Sequence, residues 1–214
     1  MLSKNQLGFL YMVLSVCAFS MMDVLVKWSE NYPVGEVLFF RGFCGLIPIL
    51  FLIPKENYKN FYKTDRPKLH FARCMAGLMA IVSIFIALRN LPLATVVSIS
   101  FAAPIFATIM SIYFLSEKIG KYRWLAVFIG FIGVIIIAQP GISSLNFNYI
   151  YPIIFCLGMS YVAIAIRQLS TSEPIWLISL YFSLSISILG LLTVPFGWVM
   201  PTFIDFILLC LIGL

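Results

Sequence analysis

The 214 residues are 62% hydrophobic and 10% charged, with a mean hydropathy of +1.06. Soluble domains are roughly 45–50% apolar and about 25% charged, so no water-soluble fold of this length hides so much apolar surface. Disorder, a disulfide scaffold and a nucleic-acid-binding domain are excluded with it. The 14 basic and 8 acidic side chains give a net charge of +6, but they fall in short gaps between apolar runs, the pattern of a polytopic membrane protein.

The expected fold is an all-α, polytopic membrane helical bundle. A helical span takes about 20 apolar residues, so seven spans use about 140 and leave no room for a soluble domain. Span 1 covers residues 7–28. Lys4 precedes it, but the run outlasts a signal peptide and ends in charges rather than at a small-residue cleavage site, so it reads as an uncleaved helix. Span 2, residues 34–53, is opened by Pro33 and closed by Pro54. The loop 54–68 carries Lys55, Lys59, Lys63, Arg66 and Lys68. Span 3 is 69–88, and the turn Arg89-Asn90-Leu91-Pro92 leads to span 4 at 93–115. Glu117, Lys118, Lys121 and Arg123 surround the next turn, before span 5 at 122–138. An uncharged segment, 139–148, precedes span 6 at 149–169 and span 7 at 175–195. An eighth apolar stretch runs from Phe203 to Leu214.

With the N-terminus inside, eleven of the 14 Lys and Arg residues fall in inner gaps, and only Lys27, Arg41 and Arg89 lie on the outer side. The positive-inside rule therefore sets a cytoplasmic N-terminus. The eighth stretch is about 18 Å of helix at 1.5 Å per residue, against a hydrocarbon core of about 30 Å. The expectation is that the chain stops inside its eighth helix and in this form does not transport.

A shift of about 140 residues superposes Tyr11 on Tyr151, Ser20 on Ser160 and Lys27 on Arg167. After one extra loop residue Pro33 falls on Pro174 and Pro54 on Pro195. A repeat unit of five spans is odd in number, so its second copy inserts upside down. The expected units are 1–141, complete, and 142–214, cut in its third helix; a full second unit would reach about residue 282 by the same shift.

Residues 87–141 read ALRNLPLATVVSISFAAPIFATIMSIYFLSEKIGKYRWLAVFIGFIGVIIIAQPG. A Leu-Pro turn, a Ser/Thr/Ala-rich helix with central Pro104, Glu117 beside a base, and a Gly-rich helix ending in Gln-Pro-Gly resemble the end of the first EamA repeat of the drug/metabolite transporter superfamily. Asp23 and Lys27 in span 1 and Arg41-Gly42 in span 2 are also similar to its bacterial members. The resemblance implies inverted five-helix repeats around a central substrate cavity and a multi-pass protein of the cell's inner membrane. It also implies a secondary transporter of small metabolites of the amino-acid, nucleotide-like, vitamin or S-adenosylmethionine class.

Asp23 and Lys27 are four apart on one helix face, and Arg41 enters span 2 to a similar depth from the same side. An ionised side chain there is costly unless paired or wetted, so an Asp23–Arg41 ion pair or shared water cavity is expected, with Lys27 above it. The pair either pins spans 1 and 2 together or serves substrate or proton binding. The second unit offers Ala163 or Ile164 and Phe182 at the matching places, an asymmetry that favours a substrate-related role. Glu36, in the first turn of span 2, suits a structural role at the helix N-terminus.

Pro104 removes a backbone donor and frees the carbonyl of Ser100, with Ser98 and Ser100 as polar neighbours. Span 4 is then either a cavity wall with a hinge or a static kink satisfied by hydroxyl back-bonding. Tyr161 lies deep enough in span 6 to touch a cavity, Arg167 is a snorkelling anchor, and Glu117 is structural. Ala126 and Gly130 make a small-residue face suited to close packing, within the chain or in a homodimer.

The rival classes are weaker. The one histidine, His70, sits at a membrane boundary, no His-Glu-x-x-His pattern occurs, and the span-associated aspartates Asp23 and Asp205 make no obvious catalytic pair. Five cysteines scattered singly lack metal or redox spacing, so no enzyme activity, metal or cofactor is expected. A channel or a structural membrane subunit is the alternative, and no filter sequence is recognisable. The expected partners are a small-molecule substrate and the lipid bilayer, with no nucleic acid.

Overall fold

A computed structural model describes residues 4–54, 62–117, 120–138 and 147–213, all of whose regular structure is helical. The helices are α1 (Lys4–Trp28), α2 (Val34–Leu52), α3 (Pro67–Asn90), α4 (Leu93–Ser100), α5 (Ala103–Leu115), α6 (Lys121–Ala138), α7 (Ile150–Leu169), α8 (Ile175–Leu191) and α9 (Phe203–Gly213). Short 3-10 turns lie at Phe147–Tyr149 and Val194–Phe196. Lys55, Lys59, Lys118, the Gln139-Pro140-Gly141 signature and the boundary between the two expected repeat units lie outside the described residues.

Five segments are long and apolar enough to cross a membrane: α1, α2, α3, the α4–α5 pair, and α7 with its leading turn. Spans 5, 7 and 8 correspond to shorter apolar helices, Trp124–Gly133 within α6, α8 and α9. Span 7 was expected to reach residue 195. The helix instead ends at Leu191, and Pro195 is drawn into a 3-10 turn closed by Gly197 at a φ of 89°. Proline sets the helix starts: Pro33, Pro92 and Pro174 occupy N-cap positions and Pro67 opens α3. The missing N–H costs nothing in a first turn.

The exterior is apolar. Phe9, Met12 and Phe19 on α1, Phe51 on α2 and Phe128 on α6 all stand exposed. Such a surface demands lipid rather than water. Inside, Val26, Val37, Phe85, Leu88, Val96 and Leu209 are buried in one core between α2, α3 and α8 and the ends of α1 and α9.

The most extensive helix contacts are α2 with α8 and α3 with α7. Glycine makes the first possible. A Cβ on Gly190 of α8 would come within 2.5 Å of the Phe39 backbone nitrogen on α2. A Cβ on Gly42 would come within 2.5 Å of the Ser187 hydroxyl. Where no hydrophobic effect drives helices together, such backbone approach supplies the van der Waals gain. The small face expected on span 5 does not serve this purpose: Ala126 and Gly130 are exposed, and a Cβ on Gly130 would meet only Ile105, at 3.4 Å.

Span 4 is broken rather than kinked. α4 ends at Ser100 and α5 restarts at Ala103, which places Pro104 in the first turn of a new helix. The carbonyls at the break find donors on α7. Cys156 Sγ lies 3.3 Å from the Ile99 oxygen and 3.8 Å from that of Ser100, and the Ser160 hydroxyl is shared between the Ala103 carbonyl at 2.7 Å and the Cys156 carbonyl of its own helix at 2.6 Å. In lipid this answers the polar cost of an interrupted helix.

Candidate substrate cavity

A cavity of about 690 Å³ lies between α1, α2, α8 and α9. Its wall is mostly apolar, with Met22, Leu25, Ile186 and Leu208, and its polar groups are Arg41, Ser15 and Ser183. That volume and a few convergent polar groups on an apolar lining are the ordinary form of a small-molecule site.

Arg41 is half-buried and its guanidinium touches the Met22 sulfur. Asp23, the next residue on α1, is also half-buried. Among the described residues, no ion pair closes between Asp23 and Arg41 within 4.0 Å. Arg41 lines the cavity, whereas Asp23 is absent from its wall, although its neighbour Met22 is part of it. Lys27 does not stand over it: its ammonium pairs with Glu30 at 2.6 Å and donates to the Leu88 carbonyl at 2.6 Å, which ties α1 to the end of α3. Buried Glu36 accepts the Val199 N–H at 3.1 Å and so fastens α2 to the segment after α8.

The remaining expected site residues lie elsewhere. Ser98 and Ser100 donate to Ala94 and Val96 of their own helix at 2.7 and 2.8 Å, the back-bonding arrangement. Tyr161 packs edge-on against Phe114 with ring centroids 5.5 Å apart. Neither serine, nor Tyr161, nor Pro104 lines this cavity. Arg167 pairs with Glu117 at 2.6 Å and joins the ends of α7 and α5.

Three features escaped the sequence. The first is Arg73, read there as an inner-gap base. It is buried, its guanidinium lies 4.1 Å above the Phe182 ring, and its Nε and Nη1 meet no acceptor among the described residues. Phe182 lines the cavity, so Arg73 backs an aromatic ring on its wall. The second is a buried cluster at the start of α3. His70 Nε2 donates to Glu173 Oε2, while Thr64 Oγ1 and the Asp65 N–H, the latter at 3.0 Å, donate to Glu173 Oε1. The His70 ring also lies 4.7 Å from that of Tyr181. The third is Tyr32, whose hydroxyl donates to Asp205 Oδ2 at 2.7 Å. Each partner sits at a helix boundary, where polar residues are commonplace. The only available signal was Glu173 and Tyr32 preceding matched prolines.

The chain is 26% identical over 213 residues to an S-adenosylmethionine uptake transporter of Rickettsia bellii, covering 99% of this chain and 73% of that protein. It is 28% identical over 195 residues to a pseudopaline exporter of Pseudomonas aeruginosa, covering 89% and 66%. A riboflavin transporter of Rhizobium johnstonii is 26% identical over 221 residues, covering 99% and 71%. A model of the EamA-like transporter family matches residues 6–139, well over half the length, and with its apolar exterior and multiple helical spans this chain belongs to that family.

Proposed function

We propose that the protein is a secondary carrier that moves small zwitterionic metabolites, those with an amino-acid head, by alternating access. The observation that carries this reading is the half-buried Arg41 guanidinium on the wall of the apolar cavity; half-buried Asp23 follows the wall residue Met22 on α1 but does not itself line the cavity. A charge on the wall of an apolar site is costly when the site is empty. A substrate carboxylate on Arg41 offsets that cost, with the substrate ammonium on the side of Asp23. S-adenosylmethionine, the substrate named for the Rickettsia bellii relative, has such a head, and the apolar wall suits the rest of such a molecule.

The bundle reads as two inverted units, 1–141 and 142–214, inserted in a cell membrane with the N-terminus cytoplasmic. Exchanging the units maps the α2–α8 contact onto itself and the α3–α7 contact onto α9–α1, and all of these contacts are present. Tyr161 and the Ser98–Ser100 stretch belong to the side where α4 and α5 separate just before Pro104; we assign them to the wall that moves, with the break as its hinge.

The test is uptake of a labelled metabolite panel into vesicles carrying the full-length protein, at two pH values. Zwitterionic compounds should be taken up saturably. Asp23→Asn and Arg41→Gln should each lower uptake by about tenfold or more, as loss of one charge-assisted bond predicts, with membrane insertion intact. Full activity in both variants overturns the assignment.

A further inference from the structure

The His70–Glu173 and Tyr32–Asp205 bonds join similarly placed elements, each running from the residue before a proline N-cap to the first turn of α3 or α9, although the shift that pairs Tyr32 with Glu173 does not pair His70 with Asp205. Tyr32 immediately precedes Pro33, the N-cap of α2, and Glu173 immediately precedes Pro174, the N-cap of α8. Each reaches across to the first turn of the third helix of the other unit: Tyr32 to Asp205 in α9, Glu173 to His70 in α3. The two bonds span 173 and 103 residues of sequence. Because alternate helices run in opposite directions, one bond lies at each end of the bundle, and the cavity lies between them. Both are reinforced locally. Thr202 Oγ1 also donates to Asp205 Oδ2, at 2.6 Å, and the Arg89 guanidinium donates to the Tyr32 carbonyl. Thr64 and the Asp65 and Arg66 amides hold Glu173.

We propose that these two bonds are the gates of the carrier, His70–Glu173 at the cytoplasmic end and Tyr32–Asp205 at the outer end, each opened in turn while the other holds. Both bonds join one unit to the other, so the units cannot part at either end without breaking one. A rocking motion about the α2–α8 crossing, where Gly42 and Gly190 bring the backbones into contact, separates one end as it presses the other together. Neither bond reaches the cavity wall; the four residues are positioning residues that set which side the cavity faces.

The inference rests on the alternating-access reading but not on the substrate. Its test uses no substrate, so failure of zwitterion uptake and failure of the gates are separate results. Ser183 on the cavity wall is replaced in the full-length protein by Ser183→Cys and labelled with a membrane-impermeant thiol reagent. Labelling is run from outside on cells and from inside on inverted vesicles, with the protein lacking this cysteine as background. Glu173→Gln should shift the outside-to-inside labelling ratio about tenfold downward, and Asp205→Asn about tenfold upward, the population change expected from one charge-assisted hydrogen bond. Glu173→Gln leaves buried donors poorly matched and is prone to misfold, so His70→Gln reads the same gate from its other partner, as Tyr32→Phe does for Asp205. A merely structural role loosens the bundle and moves the ratio in neither direction, or in the same direction for both pairs. Either result overturns the proposal.

Discussion

Glu173 shows how a single side chain acquires its chemistry from residues remote in sequence. Burial alone pushes its carboxyl up, but the hydrogen bonds from Thr64 and His70, the attraction of the imidazole and the Asp65 amide outweigh it and hold the group below its ordinary 4.5. A carboxyl depressed in the folded state contributes stability that is present above its unfolded value and is lost as pH falls through the folded one. Thermal melting of the detergent-solubilised protein should therefore lose stability as pH drops below 4.5, and Glu173→Gln should flatten that acid slope. An unchanged slope in the variant removes Glu173 from the acid response. Asp23 and Arg41 were legible in the sequence because a charge inside an apolar run has no inexpensive explanation. His70, Glu173 and Arg73 were not, because each stands near a helix end where polar residues normally meet water and headgroups. That these three are buried follows only from what packs over them.

The α2–α8 crossing depends on glycine, and it is the element-scale feature most sensitive to one added carbon. Gly190→Ala puts a methyl group against the Phe39 backbone and the Gly35 carbonyl, neither of which can rotate away. Overpacking of this kind costs roughly 1–3 kcal/mol. The expected outcome is a lower melting temperature for Gly190→Ala, with little change for Gly130→Ala, whose Cβ meets only the tip of Ile105. Equal effects at both sites would mean that α6 packs as tightly as α8. Helix existence and most boundaries were readable from apolar runs bracketed by proline, since such a segment in lipid must close its hydrogen bonds within itself. The small-residue face on α6 stays exposed within the chain, because Gly and Ala mark permitted contacts, not actual ones. The break in span 4 was half legible. Pro104 announced a disturbance, but its form depends on Cys156 and Ser160 supplying donors from α7.

Across the whole molecule, the charge asymmetry predicts sidedness. A phosphatase fused after residue 117 should be inactive and one fused after residue 146 active, in a reporter assay that scores export; the reverse pattern would invert the orientation and exchange the two gates. The sequence by itself determined that the chain is a membrane-embedded helical bundle, because 62% apolar residues arranged in runs with charges only between them have no other stable solution. It also determined the family. Only the tertiary structure decided that α2 pairs with α8 and α3 with α7, that Arg73 lies against Phe182, and that Glu173 and Tyr32 bind partners 103 and 173 residues away. Hydropathy and charge are properties of a segment and its solvent, so they can be read along the chain. Pairings between segments depend on which backbones can approach one another, and that is fixed where Gly42 and Gly190 leave room for the opposing helix.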